Sequence, residues 1–170
     1  MELKGSCHCG AVKFKLVSHT PQPYMRCYCS ICRKTAGGGG YAINIMGQAA
    51  TLKVSGRSAL SVYRAKINGK RSSAQRHFCS KCGSALWVQD PRWPESVYPF
   101  ASAIDCEDTP LPVPRETQHI MTGSAASWIN IKPKKRDRCY AQYPEQAIID
   151  WHVKRRLVCQ SMIASSGYSA

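Results

Sequence analysis

Three short motifs contain most of the cysteines in this chain and constrain its fold more than any other feature. They are Cys7-His8-Cys9, Cys27-Tyr28-Cys29-Ser30-Ile31-Cys32 and Cys79-Ser80-Lys81-Cys82-Gly83. Cysteines separated by one or two residues can place both sulfurs on one tetrahedral metal ion, and a glycine after the second cysteine is typical of a zinc knuckle. Seven of the ten cysteines therefore have the spacing of metal ligands, and zinc is the metal that this pattern favours.

Seven sulfur ligands predict two metal sites of different kinds. Four thiolates complete a closed tetrahedral zinc site, whereas three leave one position open, as in catalytic zinc centres. The spacing alone allows the knuckle to share its metal either with the first motif or with Cys27 and Cys29. Three further cysteines stand alone and are expected to be free thiols: Cys106, Cys139 and Cys159.

Disulfide bonds and an iron–sulfur cluster are the alternative roles for these cysteines. The first five residues contain no apolar segment that would direct the chain to an oxidising compartment, so disulfides are disfavoured and a cytoplasmic location is expected. An iron–sulfur cluster also needs four thiolates, but the sequence has no CxxCxxC run. No stretch is apolar and long enough to span a membrane, so we expect no membrane partner. The sequence leaves the oligomeric state open.

Charge is divided unevenly along the chain, which carries a formal net charge of +14. Between Leu3 and Gln89 there are fourteen lysine and arginine residues and no aspartate or glutamate. Carboxylates therefore cannot be metal ligands in this stretch, and its positive field should attract an anionic ligand. Nucleic acid would be attracted in the same way, but aromatic residues that could stack on bases are sparse, so we expect weak binding at most. A solvated basic face without a partner explains the charge equally well.

Alternation of apolar and polar residues predicts a mainly β domain, built of short antiparallel strands with little helix. One strand is predicted at residues 97–104. Asn68-Gly69 is a strong hairpin signal, which predicts that residues 60–65 fold back onto residues 73–78 and lead into the knuckle. The knuckle would then join two antiparallel strands.

Helix is predicted in only two places. A turn at residues 29–34 would bring the two cysteines of that segment together, and residues 144–157 form the second candidate. This second helix lies in a basic segment whose composition differs from the rest of the chain. We therefore predict a zinc-binding domain at residues 3–131, followed by a basic C-terminal extension at residues 132–170.

The sequence resembles the family of glutathione-dependent formaldehyde-activating enzymes and centromere protein V, whose fold is a two-zinc β-tent related to that of Mss4. The likeness covers residues 3–131. The segments that carry it are, in order, Gly5-Ser6-Cys7-His8-Cys9-Gly10, Cys27-Tyr28-Cys29-Ser30-Ile31-Cys32-Arg33-Lys34 and Phe78-Cys79-Ser80-Lys81-Cys82-Gly83-Ser84. Two later stretches agree with it, namely Ala103-Ile104-Asp105 and His119-Ile120 followed by Ala126-Ser127-Trp128-Ile129.

The resemblance implies a ligand assignment with two zinc ions per chain. The closed structural site would be formed by Cys7, Cys9, Cys79 and Cys82, and the second, open site by Cys27, Cys29 and Cys32. The activity for which the family is named is that of a carbon–sulfur lyase written in reverse, the condensation of glutathione with formaldehyde to S-hydroxymethylglutathione.

The open site suits this chemistry, because a zinc ion with three thiolate ligands favours a soft fourth ligand such as a thiol. The thiol, deprotonated there, becomes a nucleophile for an aldehyde. Basic residues are candidates for binding the carboxylates of glutathione: Arg26, Arg33, Lys34 and Arg76. His119 and Asp105 are candidates for the acid that protonates the carbonyl oxygen, although each is also explained as a structural residue. His8 is expected to point outward.

Two other functions remain open from the sequence. The chain could be a non-catalytic binding module in which both zinc ions are structural. It could also be a basic protein that docks on nucleic acid or another polyanion.

Overall fold

The computed structural model describes residues 1–108 and 110–158 of the chain. Cys159, predicted to be a free thiol, and the end of the predicted extension lie outside these residues. The described part contains two helices, α1 (Ser30–Ala36) and α2 (Ile148–Lys154). Its strands are β1 (Glu2–Ser6), β2 (Lys13–Val17), β3 (Tyr24–Cys27), β4 (Ala42–Asn44), β5 (Gly47–Gln48), β6 (Lys53–Ser55), β7 (Leu60–Tyr63), β8 (Lys66–Ile67), β9 (Lys70–Arg71), β10 (Gln75–Cys79), β11 (Ala85–Gln89), β12 (Ser96–Pro99), β13 (Thr117–Ile120) and β14 (Arg138–Cys139).

These strands form three sheets and a separate hairpin. The first sheet has the order β1-β2-β6 and the second β5-β12-β11-β10-β7, and all their neighbours are antiparallel. The third sheet has the order β14-β13-β3-β4, and β13 pairs in parallel with β14 and with β3. The predicted mainly β fold with little helix is confirmed. The parallel pairs differ from the predicted antiparallel pattern, because β13 reaches β3 through a long connection rather than a hairpin.

The main core joins the first two sheets. In β2 the side chains of Phe14 and Leu16 are buried whereas Lys13 and Lys15 are exposed, as the alternating sequence predicts. Phe14 packs edge-on against Trp87 of β11, with 5.3 Å between ring centroids. Burial of each such side chain stabilises the fold by roughly 1.5–3 kcal/mol. This packing fixes the turn after β1 relative to the turn after β10, which is where two cysteine motifs lie.

The predicted hairpin is present. Asn68 and Gly69 connect β8 to β9 with φ values of 49° and 77°, the left-handed conformation that a tight hairpin turn requires. The chain then returns in β10, which pairs antiparallel with β7 and places Cys79 opposite Leu60. The knuckle therefore does connect two antiparallel strands, β10 and β11.

Two predicted elements are shorter in the structure. The strand predicted at residues 97–104 ends at Pro99. The N–H of Phe100 still donates to the carbonyl of Leu86 at 3.0 Å, and the chain then turns into a 3-10 helix at Ala101–Ala103. The helix predicted at residues 144–157 is present only as α2, and soon after it Arg156 adopts a left-handed φ of 55°. Neither helix of the described part is long and apolar enough to cross a membrane.

The segment after residue 131 makes specific contacts with the rest of the fold. Strand β14 pairs with β13, and the backbone N–H of Tyr140 donates to the carbonyl of His119 at 2.8 Å. In α2, His152 is buried and its Nε2–H donates to the carbonyl of Gln22 at 2.5 Å. The division of the chain at residue 131 stays a prediction, and these contacts cross it.

Protonation of His152 should destabilise the fold. Burial lowers its pKa from 6.5, even though the hydrogen bond to Gln22 opposes the shift, and its buried Nδ1 has no acceptor among the described residues. As the pH falls below 6.5, the unfolded chain binds a proton that the folded chain excludes, so stability decreases until the lowered pKa is passed. We expect the free energy of unfolding of His152→Gln, from urea denaturation, to fall less steeply with pH than that of the wild type, by at most about 1.4 kcal/mol per pH unit. Equal slopes for the two proteins would contradict this prediction.

Candidate metal centres and the adjoining site

The first sulfur cluster is formed by two turns that are distant in sequence. Cys7 and Cys9 follow β1, whereas Cys79 ends β10 and Cys82 lies in the turn to β11. All four Sγ atoms lie within 4.8 Å of one another, and the Cys7–Cys9 and Cys9–Cys79 sulfurs are 3.5 and 3.8 Å apart. Zinc–sulfur bonds of about 2.3 Å in a tetrahedron place sulfurs about 3.8 Å apart, so this cluster can hold a metal ion with four protein ligands.

The backbone around this cluster supports the thiolate form of Cys7 and Cys82. Gly10 and Gly83 follow the two motifs with φ values of 71° and 76°, a conformation that glycine adopts without strain. The N–H of Val12 donates to Cys7 Sγ at 3.2 Å. Hydrogen bonds from the side chain and backbone of Ser84 lower the pKa of Cys82 to about 5. Because metals bind thiolates, these donors favour metal binding.

The second sulfur cluster contains the three cysteines of the middle motif. Cys27 ends β3, Cys29 is the N-cap of α1, and Cys32 lies in the first turn of that helix, as the predicted turn at residues 29–34 requires. Their Sγ atoms also lie within 4.8 Å of one another. Within residues 1–108 and 110–158, no fourth histidine, cysteine or carboxylate joins them. This cluster can hold a metal ion and leave one position for another ligand.

Neighbouring donors set the protonation of the three thiols in this cluster. Hydrogen bonds with Cys27 and then Cys32 lower the pKa of Cys29, to which the backbone N–H of Cys32 also donates at 3.3 Å. The hydrogen bond with Cys29 is the largest cause of the raised pKa of Cys27. The three thiols are thus coupled through shared hydrogen bonds, and a bound metal ion would favour the thiolate form of all three.

Arg76 of β10 is the cation that lies against this second cluster. Its Nη2 is 4.0 Å from Cys32 Sγ, and only 9% of the residue is exposed. Of the four arginine and lysine residues predicted to bind carboxylates, it is the buried one. The pairing of β10 with β7 and β11 determines the position of Arg76. The sequence could therefore suggest Arg76 as a ligand-binding residue, but not its contact with Cys32.

A buried chain of hydrogen bonds runs behind the second cluster. The hydroxyl of Tyr28, which lies between two of the cysteines, is 2.8 Å from His119 Nδ1, and His119 Nε2 is 3.4 Å from Asp137 Oδ2. The backbone N–H groups of Thr117 and Lys134 donate to Asp137 at 3.0 and 2.9 Å. Burial lowers the pKa of His119, although Asp137 opposes the shift. Both ring nitrogens of His119 are therefore engaged, one with Tyr28 and the other with Asp137.

The structure separates the two predicted proton donors. Asp105 lies beside β1, where Ser6 donates to its carboxylate at 2.8 Å and its own N–H donates to the carbonyl of Lys4. It therefore belongs to the neighbourhood of the first cluster, whereas His119 lies near the second. His8 is exposed, as predicted, and its N–H donates to Ser84 Oγ at 3.1 Å.

The remaining predicted cations lie on or near α1 and β3. Arg26 stacks on Tyr41, with its guanidinium carbon 4.8 Å from the ring centroid. Arg33 is partly buried, and its Nε has no hydrogen-bond partner among the described residues. Lys34 is exposed. Helix α1 thus carries two cations, Arg33 and Lys34, and neither stacks on an aromatic ring among the described residues.

Sequence reasoning missed residues from the C-terminal segment. Tyr140 packs against the apolar group around Cys27 and Cys32. Tyr143 lies within electrostatic range of all three cysteines of the second cluster and of Arg76, although 67% of the residue is exposed. No spacing or motif marks these tyrosines, because they reach the site only through the pairing of β14 with β13.

Comparisons with known proteins identify the family to which this chain is similar. A family model described as "Glutathione-dependent formaldehyde-activating enzyme" matches residues 2–124. A Halomonas elongata protein named "Putative glutathione-dependent formaldehyde-activating enzyme" is 57% identical over 154 residues, which cover 91% of this chain and 96% of that protein. A crystal structure of a Rhodobacter sphaeroides protein matches with a TM-score of 0.51 and 28% identity, over 61% of this chain and 88% of that one. The chain therefore belongs to the family of glutathione-dependent formaldehyde-activating enzymes.

Proposed function

We propose that this chain is a zinc enzyme that adds a thiol to an aldehyde, with glutathione and formaldehyde as the substrates. The observation that carries the proposal is the second sulfur cluster, in which three cysteines converge without a fourth protein ligand among the described residues, beside the buried cation of Arg76. Family membership supports the choice of glutathione and formaldehyde.

The donor set fits zinc in both clusters, since sulfur ligands at tetrahedral spacing are those that zinc prefers. A zinc ion in the second cluster would supply a Lewis acid that lowers the pKa of a coordinated thiol. Two zinc ions per chain, one structural and one catalytic, follow from this proposal.

The chain's own residues would bind and orient the thiol substrate. Arg33 and Lys34 extend from α1 beside Cys32 and provide positive charge for the carboxylates of glutathione. Arg26 belongs to the same predicted group, but it already stacks on Tyr41. Addition of a thiol to an aldehyde forms a sulfur–carbon bond, moves the carbonyl electron pair onto oxygen and transfers the thiol proton to that oxygen. The reaction thus needs no net proton from the protein.

Proton transfer by the predicted acids stays a prediction. His119 is the better placed of the two, since it contacts the hydroxyl of Tyr28, the residue between Cys27 and Cys29 in the chain. Asp105 interacts with Ser6 near the first cluster. The proposed location is the cytoplasm, whose reducing conditions suit the nine cysteines of the described part, all of which are free of disulfides.

The two clusters should contribute unequally to stability. Cys79→Ser removes a fully buried ligand that ties β10 to the turn after β1, so we expect this variant to be unfolded at room temperature. Cys29→Ser keeps an oxygen acceptor at the N-cap of α1, so its melting temperature should stay within about 4 °C of the wild type. Circular dichroism melting and metal analysis test both expectations.

Cys106→Ser is the matched control, since Cys106 is exposed and lies outside both clusters. Wild type and control should each bind about two zinc ions per chain, and Cys29→Ser about one. Equal melting temperatures for the Cys79 and Cys29 variants would contradict the division into a structural and an open site.

Cobalt substitution should reveal the open position. With cobalt in both clusters, millimolar glutathione should change the visible absorption of the second cluster by adding a sulfur ligand, whereas the four-cysteine cluster should not respond. Addition of formaldehyde should then change the spectrum again as the thiol is consumed. Cys29→Ser should show neither response.

If glutathione leaves the spectrum of the cobalt-substituted wild type unchanged, the chain is better explained as a non-catalytic binding module in which both metal ions are structural. A response to glutathione but none to formaldehyde would retain the thiol site and exclude formaldehyde as the second substrate.

A polyanion-binding function is the second candidate, because one sheet face carries lysines in direct register. Lys15 of β2 lies opposite Lys4 of β1 and opposite Lys53 of β6, and all three are exposed, as is Lys13. Like charges that face one another across strands are destabilising, so an anionic partner would relieve their repulsion. Glu2, 3.9 Å from Lys15, offsets only part of this charge.

Duplex DNA of random sequence should bind weakly to this lysine face at low salt and dissociate steeply as salt is added. Replacing Lys15 and Lys53 by glutamine should reduce the slope of log affinity against log salt by about two, whereas the same change at Lys66 and Lys70 of the separate hairpin should not. Fluorescence anisotropy measures both slopes. Submicromolar affinity at physiological salt would place this function ahead of the enzyme.

A further inference from the structure

Arg76 has more hydrogen-bonding capacity than its protein neighbours use. Its Nη2 faces Cys32 Sγ at 4.0 Å, but its Nε and Nη1 are buried and have no partner among the described residues. The guanidinium remains charged at any physiological pH and presents its donors in a fixed plane. Buried charged groups are normally paired, so these free N–H groups indicate a ligand.

No carboxylate of the described part serves as that partner. The chain has no acidic residue between Leu3 and Gln89, and the buried Asp90 is bound by Arg92 and Ser73. The negative charge of the cysteine thiolates explains the direction of Nη2. It does not explain Nε and Nη1, which need an acceptor of their own.

We propose that Arg76 binds the oxygen of the reacting aldehyde and stabilises the negative charge that develops on it. This inference rests on the proposed function. A thiol that shares a metal ion with Cys27, Cys29 and Cys32 has its sulfur beside theirs, and the oxygen of the aldehyde is one carbon atom away from that sulfur. The carboxylates of glutathione are separated from its sulfur by much longer chains. Because Arg76 lies close to Cys32, its position suits the aldehyde oxygen better than a carboxylate of glutathione. The carboxylates are assigned to Arg33 and Lys34 on α1.

The role assigned to Arg76 is electrostatic. As the sulfur–carbon bond forms, the carbonyl electron pair moves onto oxygen, and Arg76 donates hydrogen bonds to that oxygen without losing a proton. The thiol proton then completes the hydroxyl group of the product. Removing one preorganised donor of this kind usually lowers kcat by about 10²–10³-fold. Arg76 is thus assigned as a catalytic residue, in addition to the acids that the sequence suggests.

The test separates binding of the thiol from the chemical step. In cobalt-substituted Arg76→Gln, we expect glutathione and the neutral thiol 2-mercaptoethanol to change the spectrum with dissociation constants within about twofold of the wild type. With zinc, kcat for adduct formation above the spontaneous rate should fall about 10²–10³-fold, with little change in KM. Arg76→Lys keeps the charge but loses the planar fork, so it should recover only part of kcat.

Two variants serve as controls. Arg33→Gln should weaken the binding of glutathione but not that of 2-mercaptoethanol, because only glutathione carries carboxylates. Arg71→Gln removes an exposed cation from the separate hairpin and should leave both binding and kcat unchanged.

Several results would overturn the assignment. Weaker binding of glutathione alone in Arg76→Gln would show that Arg76 binds a carboxylate, and an unchanged kcat would show that it does not act on the reacting oxygen. If the wild type responds to no thiol and forms no adduct, the proposed function itself is wrong, which is a different outcome.

A measurement on the wild-type zinc protein avoids dependence on the folding of the variants. With ¹⁵N-labelled arginine, the Nε–H resonance of Arg76 should shift when glutathione pre-equilibrated with formaldehyde is added, and much less with glutathione alone. Equal shifts in the two additions would contradict binding of the aldehyde-derived oxygen.

Discussion

Convergence of sulfur atoms from distant parts of the chain is the constraint on which the rest of this structure depends. The four-cysteine cluster joins the turn after β1 to the turn after β10, so it connects the first two sheets, and two of its cysteines, Cys7 and Cys79, belong to their shared core. Most strands are only two to five residues long and bury few side chains each. Cross-links of this kind replace the larger core that such short strands cannot form.

The second cluster is built differently, and this difference underlies the chemical role proposed for it. Its three cysteines come from one continuous motif, in which a strand end and a helix N-cap provide the geometry. The global fold then supplies what surrounds them. Strand β10 brings Arg76, and β13 brings His119 behind Tyr28. The three cysteines and Arg76, the proposed oxygen-binding residue, are thus held by separate elements.

Charge links the fold to the proposed chemistry. The absence of acidic residues between Leu3 and Gln89 leaves Arg76 without a carboxylate partner among the described residues, and burial makes an incompletely paired cation unfavourable. The same asymmetry leaves three lysines in register on the exposed face of the first sheet. The charge of Arg76 is enclosed beside a candidate metal site, whereas the charges of the three lysines face solvent. Only the enclosed charge has the low-dielectric surroundings in which one hydrogen bond strongly affects a reaction.

The sequence by itself determined the three cysteine motifs, the β-rich fold and the Asn68-Gly69 hairpin, because ligand spacing, alternation and turn chemistry are local properties. Spacing alone left open which motif shares a site with the knuckle. The sequence pattern overestimated the strand at residues 97–104, because the chain turns into a 3-10 helix at Ala101–Ala103. Only the tertiary structure decided which cation lies against Cys32, that Asp105 is near the other cluster, and that Asp137 and Tyr140 reach the site. These contacts come from strand pairings between residues far apart in sequence, and no local pattern encodes such pairings.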